Sequence, residues 1–319
     1  MFYFKKDSKS PTAKKDNEKD VIKTLSTIGD FIRWGASQFN EAQLFFGHGT
    51  DNAIDEAVVL VLYALHLLPD TPNGFWQMRL TTREKQIIFN LLQQRVQQRI
   101  PAPYLTREAW FANLRFYVDS RVVIPRSPLA ELIERHFTPW VEDGKVTRLL
   151  DLCTGSSCIA IASALLAFPE AEIDAVDISA DALVVAQQNI TYYGLEQRVH
   201  LIQSDLFSNL EDQKYDLIVC NPPYVDTEEW RIMPDEYQHE PPSGLAGGED
   251  GLYFVKRILR EAFQYLTSEG QLIMEVGTSQ AALIEQYPDT AFTWLEFERG
   301  GEGVFLLAAE QLRRLAKTS

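Results

Sequence analysis

The chain has 319 residues, 45% of them hydrophobic, enough to bury a full core in one large domain or two modest ones. Thirty basic against 45 acidic side chains leave a formal charge of −15, which opposes sequence-independent binding to a phosphate backbone and suits a small-molecule substrate or a basic protein partner. Three cysteines without a CxxC pair, and five scattered histidines, argue against a disulfide framework and a metal site; reduced thiols in a cytoplasmic protein are expected.

Residues 1–18 are polar and charged after the first four, lack the apolar run of a signal peptide, and read as a disordered tail. Residues 19–103 predict a small helical domain. Val21 to Phe39 carries apolar side chains at helical spacing, and Asp51 is placed to cap a helix that runs through Leu68 and stops at Pro69-Asp70. Thr81 and Glu84 have capping-box spacing ahead of "IIFNLLQQRV", which ends near Pro101. The apolar stretch Ala57–Leu68 is too short for a bilayer, which takes roughly 20 residues, and reads as a core helix.

From residue 104 to 127 the composition turns aromatic and β-branched, with turn signals at Ala112-Asn113 and Asp119-Ser120. A β-hairpin joining two domains is the expectation. Pro128 to Trp140 follows as a helix. Beyond Lys145 short apolar strands alternate with helices at Ser157–Phe168, Ser179–Tyr193 and Leu252–Leu266, the pattern of a mostly parallel α/β sheet over residues 128–319. The seven strand segments are "VTRLLDL", "AEIDAVDI", "RVHLIQSDLF", "YDLIVCN", "QLIMEVG", "AFTWLEFE" and "GVFLLA".

Chemistry is expected at the carboxyl ends of those strands. The first ends at Asp151, and Thr154-Gly155-Ser156 then turns into a helix at Ser157; a glycine there lets a polar ligand approach the backbone. A plain strand–turn–helix junction would look the same. The second ends at Asp177, about 26 residues on, where an acid can accept from both hydroxyls of a ribose or merely cap a helix. The third ends in Ser204-Asp205-Leu206-Phe207, able to take an adenine amine on Asp205 with Leu206 and Phe207 against the ring, or to be a solvated turn. The fourth ends in Asn221-Pro222-Pro223-Tyr224. Two prolines fix the backbone, so the Asn221 carboxamide and the Pro222 carbonyl point in set directions. Two acceptors held this way suit a planar NH₂ group, with Tyr224 over its face.

In combination these residues resemble the class I S-adenosylmethionine-dependent methyltransferases, whose Asn-Pro-Pro-Tyr signature marks the branch acting on planar amino groups. The further stretches "FGHGTDNAIDEAV", "FYVDSRVVIPRSPLAELI", "DLCTGSSCIAIA", "DAVDIS" and "GLAGGEDGL" are similar to the N(5)-glutamine methyltransferases of large-subunit ribosomal protein L-three, over about residues 20 to 310. Release-factor glutamine methyltransferases stand close by. They show Pro-Arg-Pro-Asp-Thr-Glu where this chain has Pro125-Arg126-Ser127-Pro128-Leu129, and glycine at the place of Cys153. Both departures favour the ribosomal-protein branch.

The resemblance implies a Rossmann-like catalytic domain preceded by a helical substrate-recognition domain. It implies S-adenosyl-L-methionine as cofactor, bound by Asp151, Thr154, Gly155, Ser157, Asp177, Ile178, Asp205, Leu206, Phe207 and Asn221. The acceptor amide falls to Asn221, Pro222, Pro223 and Tyr224, with Asn221, Pro222 and Tyr224 as the catalytic set, and Arg126 is placed near the cofactor. The partner is a basic ribosomal protein, free or in an assembly intermediate, with no membrane and no direct nucleic-acid binding. Ser157 departs from the family's second glycine. A serine fits if its φ is negative, as expected at a helix start, and would crowd the methionine part of the cofactor.

Glu275 ends the fifth strand as a pocket-shaping or purely structural acid, and His239–Gly251 reads as a lid, a substrate-contact loop or an ordinary connection. Two rival functions stand beside the first: methylation of exocyclic amines in DNA or RNA, and a non-catalytic cofactor-binding or assembly role.

Overall fold

The computed structural model describes residues 18–142, 144–210 and 212–318; of the expected tail only Glu18 lies within them. The described chain divides into two units, one from residues 18–44 and 52–98, the other from residues 45–51 and the chain from Arg99 onward.

The first unit is helical, and capping decides where each helix begins. The apolar spacing from Val21 to Phe39 belongs to two helices, α1 (Glu18–Thr24) and α2 (Ile28–Glu41). Between them Thr27 and Asp30 form a reciprocal capping box that satisfies the first N–H groups of α2, so the chain restarts there. α3 (Ala53–Ala64) is capped by Asn52 rather than Asp51, its Oδ1 accepting from the N–H groups of Ile54 and Asp55 at 3.0 Å. α4 (Thr82–Gln98) opens on the expected box, the Thr81 N–H donating to Glu84 Oε2 at 2.7 Å. Phe31, Phe39, Leu60, Ile88 and Leu92 fill the space between, and Trp34 stacks on Phe89 at 5.4 Å. Amid these apolar groups Arg95 Nε meets Glu56 Oε1 at 2.6 Å, with both side chains out of water.

The second unit starts with α5 (Ala102–Thr106) and the expected hairpin, β1 (Glu108–Phe111) and β2 (Leu114–Tyr117). Ala112 and Asn113 both take positive φ, as the twist of a two-residue hairpin loop requires. α6 (Leu129–Glu134) is far shorter than the expected Pro128–Trp140 helix. His136 and Phe137 turn to left-handed φ, which drives Phe137 into the core to stack on Phe168 at 5.2 Å.

The remaining elements form a doubly wound sheet. In chain order they are β3 (Arg148–Leu152), α7 (Cys158–Ala162), β4 (Glu172–Asp177), α8 (Ala180–Tyr193), β5 (Val199–Gln203) and β6 (Tyr215–Cys220). There follow α9 (Thr227–Ile232), α10 (Tyr253–Glu261), β7 (Leu266–Glu275), α11 (Gln280–Gln286), β8 (Thr293–Trp294), β9 (Val304–Ala308) and α12 (Ala309–Thr318). After α7 the chain makes one π-helical turn, Ser163–Ala167, completing the segment expected as a single helix. The strand order is β5-β4-β3-β6-β7-β9-β8, parallel except for β9, which runs antiparallel to both neighbours. All seven expected strands are present.

Central strands buried on both faces must be apolar throughout. Leu149, Ile173, Leu217 and Ile273 pack on one side of the sheet, and Leu150, Val176, Ile218 and Leu272 on the other. The register is even: Leu152 lies opposite Val176 and Cys220, and Cys220 opposite Met274. The carboxyl ends of β3, β4, β6 and β7 therefore fall in one line. The chain winds one way from β3 to β5 and the other way from β6, so that line is the crevice where α/β sheets take ligands.

The buried Arg95–Glu56 pair gives a test of the helical unit. Glu56→Ala takes a carboxylate away from the buried Arg95 guanidinium and should destabilise by about 3–5 kcal/mol. Urea unfolding of the variant is the measurement, and an unchanged midpoint would contradict the account.

Candidate active site

One cavity of about 410 Å³ opens along the crevice, within the range of small-molecule sites. Of the residues expected to bind ligands, Thr154, Gly155, Asp177, Ile178, Asp205, Leu206, Asn221, Pro222, Pro223 and Tyr224 all line it. Asp151, Ser157 and Phe207 do not.

Each of the three has a physical reason to lie behind the wall. Asp151 is fully buried, and its Oδ2 accepts from Thr154 Oγ1 at 2.5 Å and from the Ala160 N–H at 3.1 Å. It ties the turn after β3 to the first turn of α7. Phe207 is buried beneath Leu206 and stacks on Tyr265 at 4.6 Å and 12°, which leaves Leu206 to face the cavity.

Ser157 corrects an expectation. Its φ is +61°, in the left-handed region that a glycine adopts freely and a serine does not. The hydroxyl turns inward, 3.1 Å from Thr154 Oγ1, and the residue is fully buried. Ser157 thus takes no room from the cavity. The strain stays local.

The second strand end is a hub. Asp177 accepts from the Gly155 N–H on Oδ2 at 2.9 Å and from the Ser179 N–H on Oδ1 at 2.8 Å. This one carboxylate fixes the turn after β3 against the start of α8; burial pushes its pKa up, opposed by those backbone donors. Ile178 beside it is exposed in the cavity. At the third strand end Asp205 is gripped by Arg257, Nη1 to Oδ1 at 2.9 Å and Nη2 to Oδ2 at 3.0 Å. That pairing leaves other lone pairs of the carboxylate for a ligand amine.

The fourth strand end carries the acceptors. Neither the Asn221 carboxamide nor the Pro222 carbonyl is engaged by another described residue, and both residues line the cavity. Tyr224 alongside is fixed at its hydroxyl, which donates to Glu275 Oε1 at 2.8 Å.

Sequence reasoning missed the support on the far wall. Glu240 is fully buried and accepts from Arg126 Nη1 at 2.8 and 3.0 Å, while His48 Nε2 lies 2.7 Å from its Oε1. Burial works against the Glu240 charge, yet Arg126 and His48 hold its pKa below the usual range. The Arg126 guanidinium also lies over the Tyr237 ring at 5.3 Å. These contacts hold in place the stretch from Tyr237 to Leu245, whose Tyr237, Pro241, Ser243, Gly244 and Leu245 line the cavity. Val225 and Ala246 form a further bridge there. Of this network only Arg126 was named from sequence, since partners as far apart as Arg126 and Glu240, or His48 and Glu240, leave no local pattern.

The cavity fits the expected nucleoside cofactor on the chain's own geometry. Gly155 has φ +54°, and a Cβ built there would meet no atom within 4 Å, so the missing side chain leaves space beside the Asp177 hub. Polar groups stand at three successive strand ends around it. Among the described residues no group of three His, Cys, Asp or Glu side chains could hold a metal ion.

This sheet order, with one antiparallel strand and cavity-lining groups at the ends of β3, β4, β5 and β6, defines a class I methyltransferase dependent on S-adenosyl-L-methionine. The family model "Methyltransferase small domain" matches residues 132–234. A ribosomal protein uL3 glutamine methyltransferase from Francisella tularensis is 50% identical over 92% of this chain and 94% of its own length. One from Bordetella pertussis is 48% identical over 90% and 97%. The chain belongs to the family of ribosomal protein uL3 glutamine methyltransferases. Solved structures are more distant: a methyltransferase from Pyrococcus furiosus is 14% identical at TM-score 0.43 over 72% of this chain and 99% of that one, a likeness too loose to carry an argument.

Burial pushes the Asp151 pKa from the ordinary 3.8 up to about 7, against the Thr154 and Ala160 hydrogen bonds, and its buried Oδ1 has no partner among the described residues. The unfolded chain loses this proton near 3.8 and the folded chain near 7. Between those values the folded state holds more protons, so this group's contribution to stability falls as pH rises. Asp151→Asn, which cannot ionise, should lose less stability than the wild type between about pH 4.5 and about pH 7.5 in urea unfolding. Parallel profiles would contradict a neutral Asp151.

Proposed function

We propose that this protein methylates the side-chain amide nitrogen of a glutamine in large-subunit ribosomal protein uL3, in the cytoplasm, on the free protein or an assembly intermediate. The observation that carries this reading is the pair of unengaged acceptors at the end of β6, the Asn221 carboxamide oxygen and the Pro222 carbonyl, beside a fixed Tyr224. Relatives at 50% and 48% identity bear the name of that activity. The net charge of −15 suits a basic protein acceptor better than a nucleic acid.

An amide nitrogen is a poor nucleophile because its lone pair is delocalised into the carbonyl. S-Adenosyl-L-methionine, when bound, supplies a methyl group already activated on a sulfonium. The chain therefore has to position and polarise. Asn221 Oδ1 and the Pro222 carbonyl accept the two amide hydrogens, which raises electron density on nitrogen and fixes its orientation. Tyr224 packs on the amide plane. Thr154, Gly155, Asp177, Ile178, Asp205 and Leu206 hold the nucleoside, with Asp151, Ser157 and Phe207 supporting them from behind. Pro223 keeps the corner rigid, and the helical unit recognises the acceptor protein.

Methyl transfer from labelled cofactor tests the reading, with free uL3, ribosomes, ribosome precursors, release factors and nucleic acids offered in parallel. Label should enter uL3. Asn221→Ala should lower turnover about a hundredfold or more while cofactor affinity by calorimetry changes less than about threefold. Label in nucleic acid alone, or equal losses in turnover and cofactor affinity, would overturn the assignment.

A further inference from the structure

The mechanism needs Tyr224 on the amide plane, and a tyrosine on a loop after two prolines has a free ring unless something holds it. The structure supplies a holder at the end of β7. Glu275 is buried in the cavity wall, and its two oxygens have different tenants: Oε1 accepts from the Tyr224 hydroxyl at 2.8 Å, and Oε2 accepts from the Ser127 hydroxyl. Two residues on, Gly277 has φ +45°, and a Cβ built there would lie 2.5 Å from the Tyr224 ring. That glycine is the floor on which the ring rests. Ser279 Oγ then donates to the Tyr224 carbonyl at 2.8 Å. Hydroxyl, ring and backbone of one residue are thus each met by one five-residue segment.

We propose that Glu275 is a positioning residue for methyl transfer, and that residues 275–279 form a socket that fixes the angle of the Tyr224 ring over the acceptor amide. This rests on the glutamine reading above. Within it, both Glu275 oxygens are taken up by side-chain donors of the chain itself, and Glu275 acts through Tyr224. A buried carboxylate with two side-chain donors is a demanding way to finish a strand, since any apolar residue would pack there without desolvating a charge. What the acid provides is direction. One donor comes from the segment ahead of α6 and the other from the acceptor corner, so Glu275 locks the ring to a fixed part of the fold.

The test compares the wild type with Glu275→Leu, which has no acceptor, with Tyr224→Phe and with the double variant on free uL3. Four quantities are read: kcat, KM for uL3, calorimetric cofactor Kd and melting temperature. Each single change removes the same link, so each should lower kcat roughly tenfold, with cofactor Kd within about threefold of wild type. The double variant should fall within about threefold of the worse single rather than at the product of the two losses. Glu275→Leu with kcat within twofold of wild type would overturn the proposal. So would losses that multiply in the double variant, or a kcat that falls only in step with melting temperature and cofactor affinity. Should Glu275→Leu fail to fold, Tyr224→Phe reads the same link from its other end. Failure of the glutamine reading would show separately, as no transfer to uL3 by the wild type.

Discussion

The parallel register of β3, β4, β6 and β7 is the constraint on which the catalytic unit depends. Because Leu152, Val176, Cys220 and Met274 lie opposite one another, the next residues of each strand leave the sheet at one level. Short turns are then sufficient to bring Gly155, Asp177, Asn221 and Glu275 around one crevice. The register is held by apolar side chains on both faces, where a slip of one residue would exchange the two packed layers. The site is a consequence of core packing. Its polar residues contribute little to forming the sheet that aligns them.

Much of this was legible in the sequence. Seven apolar segments alternating with helices gave the fold, and the residues just after four of them gave one side of the cavity. The tetrapeptide after β6 was readable because two prolines admit few conformations, so chemistry followed from rigidity. Where expectation and structure part along the cavity, one cause is at work: a sequence shows that a residue stands at a strand end but not which way its side chain turns. Asp151 and Phe207 point behind the wall, and Ser157 adopts a left-handed φ that its position at a helix start does not reveal. The His48–Glu240–Arg126 cluster was invisible for a different reason. It joins three distant segments, and nothing local marks a glutamate that will be buried between an arginine and a histidine.

Buried charge is used in three different ways. Asp151 is pushed toward its neutral form by burial and holds a turn. Glu240 is kept below its usual pKa range by Arg126 and His48, and orders a wall. Glu275 is pushed upward by burial, opposed by Ser127 and Tyr224, and faces the acceptor corner. Each sits on a different side of one cavity, and each fixes an orientation that apolar packing would leave loose. The two hydrogen-bond acceptors at Asn221 and Pro222, by contrast, are left unengaged by the described residues at the edge of the cavity.

A glutamine methyltransferase must select one kind of nitrogen, planar and conjugated, in a protein side chain. The most direct measurement is tandem mass spectrometry of uL3 after reaction, locating the added methyl group to an atom. A single methyl on the side-chain amide of one glutamine is expected. A methyl on a lysine, an arginine or the N-terminal amine would contradict it.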